Sequence, residues 1–327
     1  MSRGDGLAPH PSVDVTAIIV NYNTGHLLAE VVGSLRAATR RLSLQIILID
    51  NASRDDSAQL MRRDFADCEL IENTVNVGFG RANNQALGLV RGRYVLLLNT
   101  DAFVAADTID KTVAYMDSNL TCGVLGVKLV GRDGSLQPSC RYFPTPWNLL
   151  ASVARLTRLF PHLKLVDEMD WDHASVRECD WVPGCYYLAR REVVDRVGLF
   201  DPRYFLYYEE VDHCRAVKKA GWQVTYYPYT SVVHIGGESA RSEGALTPSG
   251  RQISELQRES ELLYFRKHHG LPGVWAVMLA GLLADAGSAA KLLLRRAGAQ
   301  GVARRFVQTP RSWSLLRRTA WGSRPTR

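Results

Sequence analysis

"YVLLLNTDAF", residues 94–103, is the stretch on which the fold turns. Tyr94 to Leu98 are aromatic or aliphatic without a break, which suits a parallel strand buried on both faces. Asn99, Thr100 and Asp101 then end the run abruptly. In open parallel sheets, ligands lie just beyond the carboxyl ends of the strands, which would aim Asp101 at a ligand. The same residue could instead cap a helix beginning near Ala105, since Asp is a favoured N-cap.

The pattern repeats on the N-terminal side. Val15 to Val20 read as a buried strand, and Leu27, Leu28, Val31, Val32 and Leu35 then share one helical face. "LQIILID" is a second strand ending at Asp50, and "SRDDSAQLMRRDF" a helix with Ser53 or Asp55 as its cap. "CELIEN" is a third strand and "GRANNQALGLVRG" a third helix. Strands alternating with helices imply an α/β fold with a mostly parallel, Rossmann-like sheet. Asn21, Asp50, Asn73 and Asn99 each close a strand, so four polar ends line one rim. One such ending is unremarkable; four favour a ligand crevice.

Beyond Asp101 the rhythm changes. "CGVLGVKLV" is a strand, while Pro138, Pro144, Pro146 and Pro161 break up residues 138–178. "DWVPGCYYLAR" is a strand interrupted at Pro183–Gly184. "RREVVDRVG" and "EEVDHCRAVKKAG" are helices, and "WQVTYYP" and "SVVHI" are two further strands. Residues 252–268 form an amphipathic helix with Ile253, Leu256, Ser260, Leu263 and Lys267 on one side. Residues 273–284 then carry no charge, but Asp285 interrupts the run before the roughly 20 residues a membrane span needs. An interfacial helix, a core helix and a span all fit that run.

Composition narrows the class. The chain has 327 residues, 46% of them hydrophobic, enough for a real core. Residues 1–12 are polar and lack the apolar core of a secretory signal, so a flexible N-terminus on a cytoplasmic protein is expected. Six cysteines form no C-x-x-C pair, which argues against zinc and for reduced thiols. Of the net charge of +7, residues 286–327 hold ten Lys or Arg and no acid, leaving the rest at −3. A basic tail on a mildly acidic body points to an anionic surface as its partner, membrane or nucleic acid. Trp313 and Trp321 in that tail fit a membrane interface or base stacking equally.

Three stretches carry candidate chemistry. "NVGFGRANN" has Gly78 and Gly80 after a strand and before a helix, the setting of a dinucleotide fingerprint. Its third glycine position is Asn83 and no acidic residue follows at the required distance, so nicotinamide or flavin binding is not expected. The glycines still let backbone approach a phosphate. "FLYYEEVDHC" places Glu209, Glu210 and Asp212 behind four aromatic or aliphatic residues. Carboxylates at a helix start are stabilised by the dipole alone, but shielding would also raise their basicity toward that of a general base. "SVVHIGGES" ends a strand at His234 before two glycines, which open space beside the imidazole.

Together with "TAIIVNYNTGHLL", "IILIDNASRDDS" and "WVPGCYYLARREVVDRVGLFDPRYFLYYEEVDHCRAVKKAGW", these stretches resemble glycosyltransferase family 2 in order over roughly residues 14–240. The resemblance is greatest to the bacterial rhamnosyltransferase-like branch. It implies the GT-A fold, with residues 13–245 catalytic (13–104 for the nucleotide-sugar, 105–245 for the acceptor); the tail's own composition makes 246–327 a helical, basic, membrane-associating region. It implies an inverting transfer from a nucleoside-diphosphate sugar, dTDP-rhamnose or a UDP-sugar, to a hydroxyl of a cell-surface glycan or polyprenyl-linked acceptor. By resemblance, Asn21 and Asp50 hold the base, Asn51 and Ser53 support that loop, and Gly78, Arg81 and Asn84 lie near ribose and diphosphate. Asp101 matches the last residue of a D-x-D metal motif whose first position is Asn99, and His234 a second ligand, for Mg²⁺ or Mn²⁺. Glu210 matches the general base, with Asp212 the competing carboxylate. Trp181, Gly184 and Glu209 fall on the acceptor side. The alternative is a nucleotide-sugar-binding protein with impaired catalysis. The apolar run 273–284 and the ten basic residues of the tail predict a location at the inner face of the cytoplasmic membrane, and no nucleic-acid partner is expected.

Overall fold

In the computed structural model, β1 (Val13–Asn21) and β2 (Leu44–Asp50) run parallel with Asn21 opposite Asp50, so the two polar strand ends arrive side by side. The structure describes residues 13–156, 159–160, 163, 165–167, 169–236, 255–294 and 308–327. The N-terminal segment 1–12, Pro161, Ile253, and Arg295, Arg296, Arg304 and Arg305 of the basic tail lie outside them.

β3 (Glu69–Glu72) and β4 (Gly92–Leu98) add parallel neighbours to β2 and β1. The helices between are α1 (Leu28–Ala38), α2 (Ser57–Asp64) and α3 (Phe79–Gln85). Alternation along β1 splits the core in two. Val15, Ala17 and Ile19 face one cluster with Val31, Val32 and Leu35 of α1, while Ile18 faces the other. Strand residues buried on both faces are what the unbroken apolar runs required.

The second half is mixed. β5 (Ala102–Val104), α4 (Thr108–Ser118), β6 (Cys122–Val130), β7 (Leu136–Gln137), α5 (Pro146–Val153), β8 (Arg177–Cys179), β9 (Tyr186–Arg190), α6 (Arg191–Val197), α7 (Glu209–Lys219) and β10 (Gln223–His234) follow. The sheet runs β3-β2-β1-β4-β9-β6-β10-β5, with β9 antiparallel to both β4 and β6, and β10 parallel to β6. Parallel pairing thus dominates the nucleotide half and gives way beyond β4. The two strands expected at "WQVTYYP" and "SVVHI" are one, bent by a register shift between Tyr227 and Ser231. Pro228 lies in that bulge, where a missing N–H is tolerated.

Two expected caps move. Asp101 does not cap α4: β5 intervenes, and α4 starts at Thr108 behind Asp107. Neither Ser53 nor Asp55 is the residue before α2, which is Asp56; the Asp55 carboxylate instead accepts from the Ser57 N–H at 3.2 Å and the Gly25 N–H at 3.1 Å.

Two helices close the chain. α8 (Glu255–Leu294) is broken at Gly270, whose φ of +64° no helix uses, and α9 (Gln308–Arg318) packs on it. Glu255–Ala290 is long and apolar enough to cross a membrane, yet half of its most apolar window is buried against the protein. Val274, Val277 and Met278 join the same core cluster as Leu262, Leu263 and Phe265. The apolar run 273–284 is therefore core on one face.

Candidate active site

The strand-end rim is a closed hydrogen-bond system. Asn21 is fully buried: its amide donates to Asp50 Oδ1 at 3.3 Å and Ser53 Oγ at 3.0 Å, and its carbonyl oxygen accepts from Thr24 at 2.7 Å. Asp50 also accepts from the Ser53 N–H at 3.1 Å. Asn51 Oδ1 accepts from the Val77 N–H at 3.0 Å, and its amide donates to Asn76 at 2.9 Å. Asn21, Asp50, Asn51 and Ser53 are thus brought together as expected. Asn21 and Asn51 hold the loops to one another with their side chains rather than presenting them outward.

Gly78 is where backbone must pass closest. Its φ is +88°, and a Cβ there would lie 2.4 Å from the Phe205 carbonyl, so only glycine fits. The next N–H, of Phe79, donates to that carbonyl at 2.8 Å and joins the donor-side loop to the segment before α7. Arg81 and Asn84 depart from expectation. Arg81 donates to the backbone carbonyls of Pro202 at 2.7 Å and Arg327 at 2.9 Å, turning its charge onto the chain itself. Asn84 pairs with the Phe200 backbone in both directions, at 2.7 and 3.1 Å. Both are ties between segments; their functional groups are already committed.

Asp101 and His234 meet across the sheet edge. β5 pairs antiparallel with β10, placing His234 opposite Ala102, and Asp101 Oδ1 sits 3.6 Å from His234 Nε2. Gln137 orients the ring. Its amide donates to the His234 carbonyl at 2.8 Å and its oxygen lies 2.9 Å from Nδ1, so Nδ1 donates to Gln137 and Nε2 is the ring nitrogen turned toward Asp101. Among the described residues no third His, Cys, Asp or Glu joins them. A carboxylate and an imidazole nitrogen facing one gap fit a divalent cation whose remaining ligands come from a diphosphate and water. Asn99, on the same strand end, spends its backbone on Cys185 and Ala102 and makes no side-chain hydrogen bond among the described residues.

The carboxylates of α7 stand opposite. Tyr207 and Tyr208 both have φ of +70°, a left-handed pair no bulky residue adopts without support. They turn the chain into α7. Glu209 is buried with one carboxylate oxygen unpartnered; burial and the adjacent Glu210 push its pKa well up. Glu210 likewise has an unpartnered buried oxygen, and burial raises its pKa against the opposing pull of Arg141. Asp212 differs. Burial alone would raise it, but His268 Nε2 at 2.6 Å and Lys267 Nζ at 2.7 Å outweigh burial and hold it below the usual range. A carboxylate so paired is a poor base. Of the two carboxylates the sequence left open, Glu210 has an unpartnered oxygen and Asp212 is paired.

Gly184 separates the two sides: a Cβ there would lie 3.7 Å from the Phe79 ring and 3.9 Å from Glu210 Cβ. The Glu209 Cβ lies 3.6 Å from where Gly80 would carry one. Trp181 is buried and donates its indole N–H to Tyr142 O at 2.8 Å, so it acts as a platform, with the Arg141 guanidinium 4.1 Å above its ring. Asp101 and Glu210 also share a neighbour. Burial pushes the Cys185 thiol up, and Asp101 and, less strongly, Glu210 add to it, which puts both carboxylates within electrostatic reach of one buried residue. Sequence reasoning missed Gln137, Arg141 and His268, and placed Lys267 only on a helix face. Nothing local marks them, because each acts on a residue far along the chain.

A strand-end loop system, an Asp–His pair beside it and a shielded carboxylate across a glycine gap are the working parts of a nucleotide-sugar transferase. The Glycosyl transferase family 2 profile matches residues 16–160. An N-acetylglucosaminyl-diphospho-decaprenol L-rhamnosyltransferase from Mycobacterium tuberculosis is 30% identical over 258 residues, 71% of this chain and 80% of that protein. The rhamnosyltransferase WbbL of Escherichia coli is 26% identical over 238 residues, 70% of this chain and 86% of that one. In fold, a mannosyltransferase from Pyrobaculum calidifontis, solved with GDP-Man and Mn²⁺, superposes with a TM-score of 0.55 at 17% identity over 98% of this chain and 91% of its own. The chain belongs to glycosyltransferase family 2, has the GT-A fold and is a glycosyltransferase.

Proposed function

We propose that this enzyme transfers rhamnose or a related hexose from a nucleoside diphosphate, with inversion, to a hydroxyl of a lipid-diphosphate-linked glycan precursor. The observation that carries the reading is Glu210: a half-buried residue with one buried, unpartnered carboxylate oxygen and a raised pKa, its Cβ 3.9 Å from where Gly184 would carry one. In the reaction, the acceptor hydroxyl gives its proton to Glu210 as its oxygen bonds to the anomeric carbon. The bond from that carbon to the diphosphate breaks on the opposite face, which inverts the centre. Asp101 and His234, with Asn99 beside them, are the residues that would hold Mg²⁺ or Mn²⁺. When bound, the cation neutralises charge growing on the diphosphate. The rim around Asp50 and Ser53 receives the base, with Asn21 and Asn51 keeping the loops in register. Arg141, stacked on Trp181, flanks the acceptor.

Support for the acceptor class comes from the mycobacterial relative, whose substrate is a sugar on diphospho-decaprenol. Such a substrate lies in a membrane, and the surface of α8 and α9 suits one. Leu271, Trp275, Leu279, Leu282 and Leu283 are exposed on α8 at helical spacing. Trp313 and Trp321 stand 6.2 and 5.6 Å from the Trp275 ring, each about 40% exposed. Tryptophan on an apolar face beside Arg317, Arg318 and Arg324 is the composition of a membrane interface, at the inner leaflet of the cytoplasmic membrane.

The test is product formation. Purified protein, dTDP-rhamnose or a panel of UDP-sugars, Mg²⁺ or Mn²⁺ and N-acetylglucosaminyl-diphospho-polyprenol should give a glycolipid of inverted linkage. Nucleotide-sugar binding with no product on any acceptor of this class would favour the catalytically impaired reading instead.

A further inference from the structure

α8 touches the catalytic segment as well as presenting the exposed apolar face. Its Ser260 hydroxyl donates to the Leu206 carbonyl at 2.8 Å, one residue before the left-handed Tyr207–Tyr208 pair. The Tyr264 ring lies 5.1 Å from that of Tyr208. Lys267 bridges two carboxylates at once, Asp201 at 2.8 Å and Asp212 at 2.7 Å, and thereby joins the two ends of the segment that delivers Glu210. His268 adds a second donor to Asp212 at 2.6 Å. Four successive contact positions on one helix thus grip residues 201–212, the stretch with the least favourable backbone near the site.

We propose that Lys267 and His268 are positioning residues for Glu210, acting through Asp212 and Asp201 to hold the Tyr207–Tyr208 turn in its left-handed form. The inference rests on Glu210 being the base. Neither residue comes within 4 Å of where Gly184 would carry a Cβ. Two consecutive non-glycine residues at positive φ carry a conformational penalty of roughly 1–3 kcal/mol each. Unclamped, the turn relaxes, and Glu210, two residues beyond it, moves with it. A shift of about 1 Å in a reacting group can cost on the order of 10²-fold in rate.

The clamp also has an electrostatic side. The groups facing Asp212 are Lys267 and His268 from α8 and the Tyr204 hydroxyl at 3.3 Å; Asp201, which shares Lys267, is faced by Arg203 as well. Glu210 is faced by Glu209 and Arg141. Removing Lys267 leaves the Asp212 charge under-compensated two residues along α7 from Glu210, which makes Glu210 harder to ionise. The acid limb of kcat/KM should then move to higher pH.

The experiment compares full-length wild type, Lys267→Met, Lys267→Arg, His268→Gln and Lys267→Met/Asp212→Asn in the glycolipid assay, with thermal melting and titration of the nucleoside diphosphate alongside. Wild-type turnover is the control for the functional reading: if wild type makes no product on any donor, that reading fails and the positioning role that rests on it is overturned with it. Given wild-type turnover, Lys267→Met should lose roughly tenfold to 10²-fold in kcat with nucleotide affinity kept, and its acid limb should move up in pH. Lys267→Arg should recover most of the rate. The double variant should return the acid limb toward wild type, because the unpaired charge is gone. Unchanged kcat and pH limb in Lys267→Met and His268→Gln would overturn the proposal. So would loss of kcat, nucleotide affinity and melting temperature together with no recovery in Lys267→Arg, since that pattern is a folding defect alone.

Discussion

The two sides of the cleft are held by different kinds of contact. On the donor side, Asn21, Asp50, Asn51, Ser53, Asn76 and Val77 are linked across at most 32 positions of chain, all from the first four strands and their loops. On the base side, Asp212 is held from Lys267 and His268, 55 and 56 positions away. The first side is a property of parallel strands ending in register. The second is assembled from the whole chain and has no meaning until α8 has docked. The donor side should therefore tolerate damage to the C-terminal helices, and the base side should not.

The largest effect is expected at the point where the donor side meets the reaction. Asp101→Ala removes the only carboxylate of the Asp–His pair, while its backbone tie to Ile235 at 3.0 Å is preserved. Transfer should fall by roughly 10³-fold or more, since the charge neutralisation supplied by a bound cation is worth several kcal/mol. Measuring product against added Mn²⁺ checks it: a variant that keeps wild-type activity, or a wild type indifferent to chelator, removes the metal role from Asp101.

Next come two carboxylates two residues apart, for which opposite signs are expected. Glu210→Gln should lower kcat by about 10² or more through loss of the base. Because burial raises its folded pKa, Glu210 favours the folded state most when protonated, and that advantage is lost as pH rises through the raised value. The Gln variant should therefore melt no lower than wild type at neutral pH, and its acid limb in kcat/KM should disappear. Asp212 is the reverse. Its folded pKa is lowered, so its stabilisation is present above about pH 3.8 and lost as pH falls through the lower folded value. Asp212→Asn takes away the charge that His268 meets and one of the two carboxylates that Lys267 bridges, Asp201 remaining, and should destabilise by about 1–3 kcal/mol. If the Asn variant is dead yet fully stable while the Gln variant turns over, the base has been assigned to the wrong residue.

How much of this was legible follows the same divide. Strand ends at Asn21, Asp50 and Asn99 announce themselves because an apolar run must stop somewhere, and in a parallel sheet the stops align. Asp101 and His234 came from motif and strand position together, and the antiparallel β5–β10 pairing joins them. Arg81 and Asn84 are placed near the ribose and diphosphate by resemblance alone. Their commitment to Pro202, Phe200 and Arg327 depends on segments more than a hundred positions later. Lys267 was visible only as part of an amphipathic face, since an ion pair to Asp201 and Asp212 leaves no periodic trace. The merging of two expected strands into β10 was hidden by Pro228, which reads as a stop and is in fact a bulge.

The smallest effect concerns the far end of α8, and it probes whether the apolar face is independent of the catalysis it sits beside. Replacing Trp275 and Trp313 with Ser leaves the buried residues Val274, Val277, Leu315 and Leu316 in place, so the α8–α9 packing should survive. Full burial of a large apolar side chain is worth about 1.5–3 kcal/mol, and these rings are already half covered. Partitioning onto vesicles containing anionic lipid should therefore weaken by only about tenfold, since 1.4 kcal/mol corresponds to a factor of ten. Salt should release the wild type only in part, because it screens Arg317, Arg318 and Arg324 but leaves the tryptophans and leucines unaffected. Hydrolysis or transfer with a soluble, short-chain acceptor should be unchanged in the double variant, since neither ring touches residues 201–212. If that soluble activity falls as well, the apolar face and the clamp on Asp212 are one mechanical unit. A wild type that ignores anionic vesicles at low salt and sediments as a dimer would assign the tryptophans to a contact between copies of the chain.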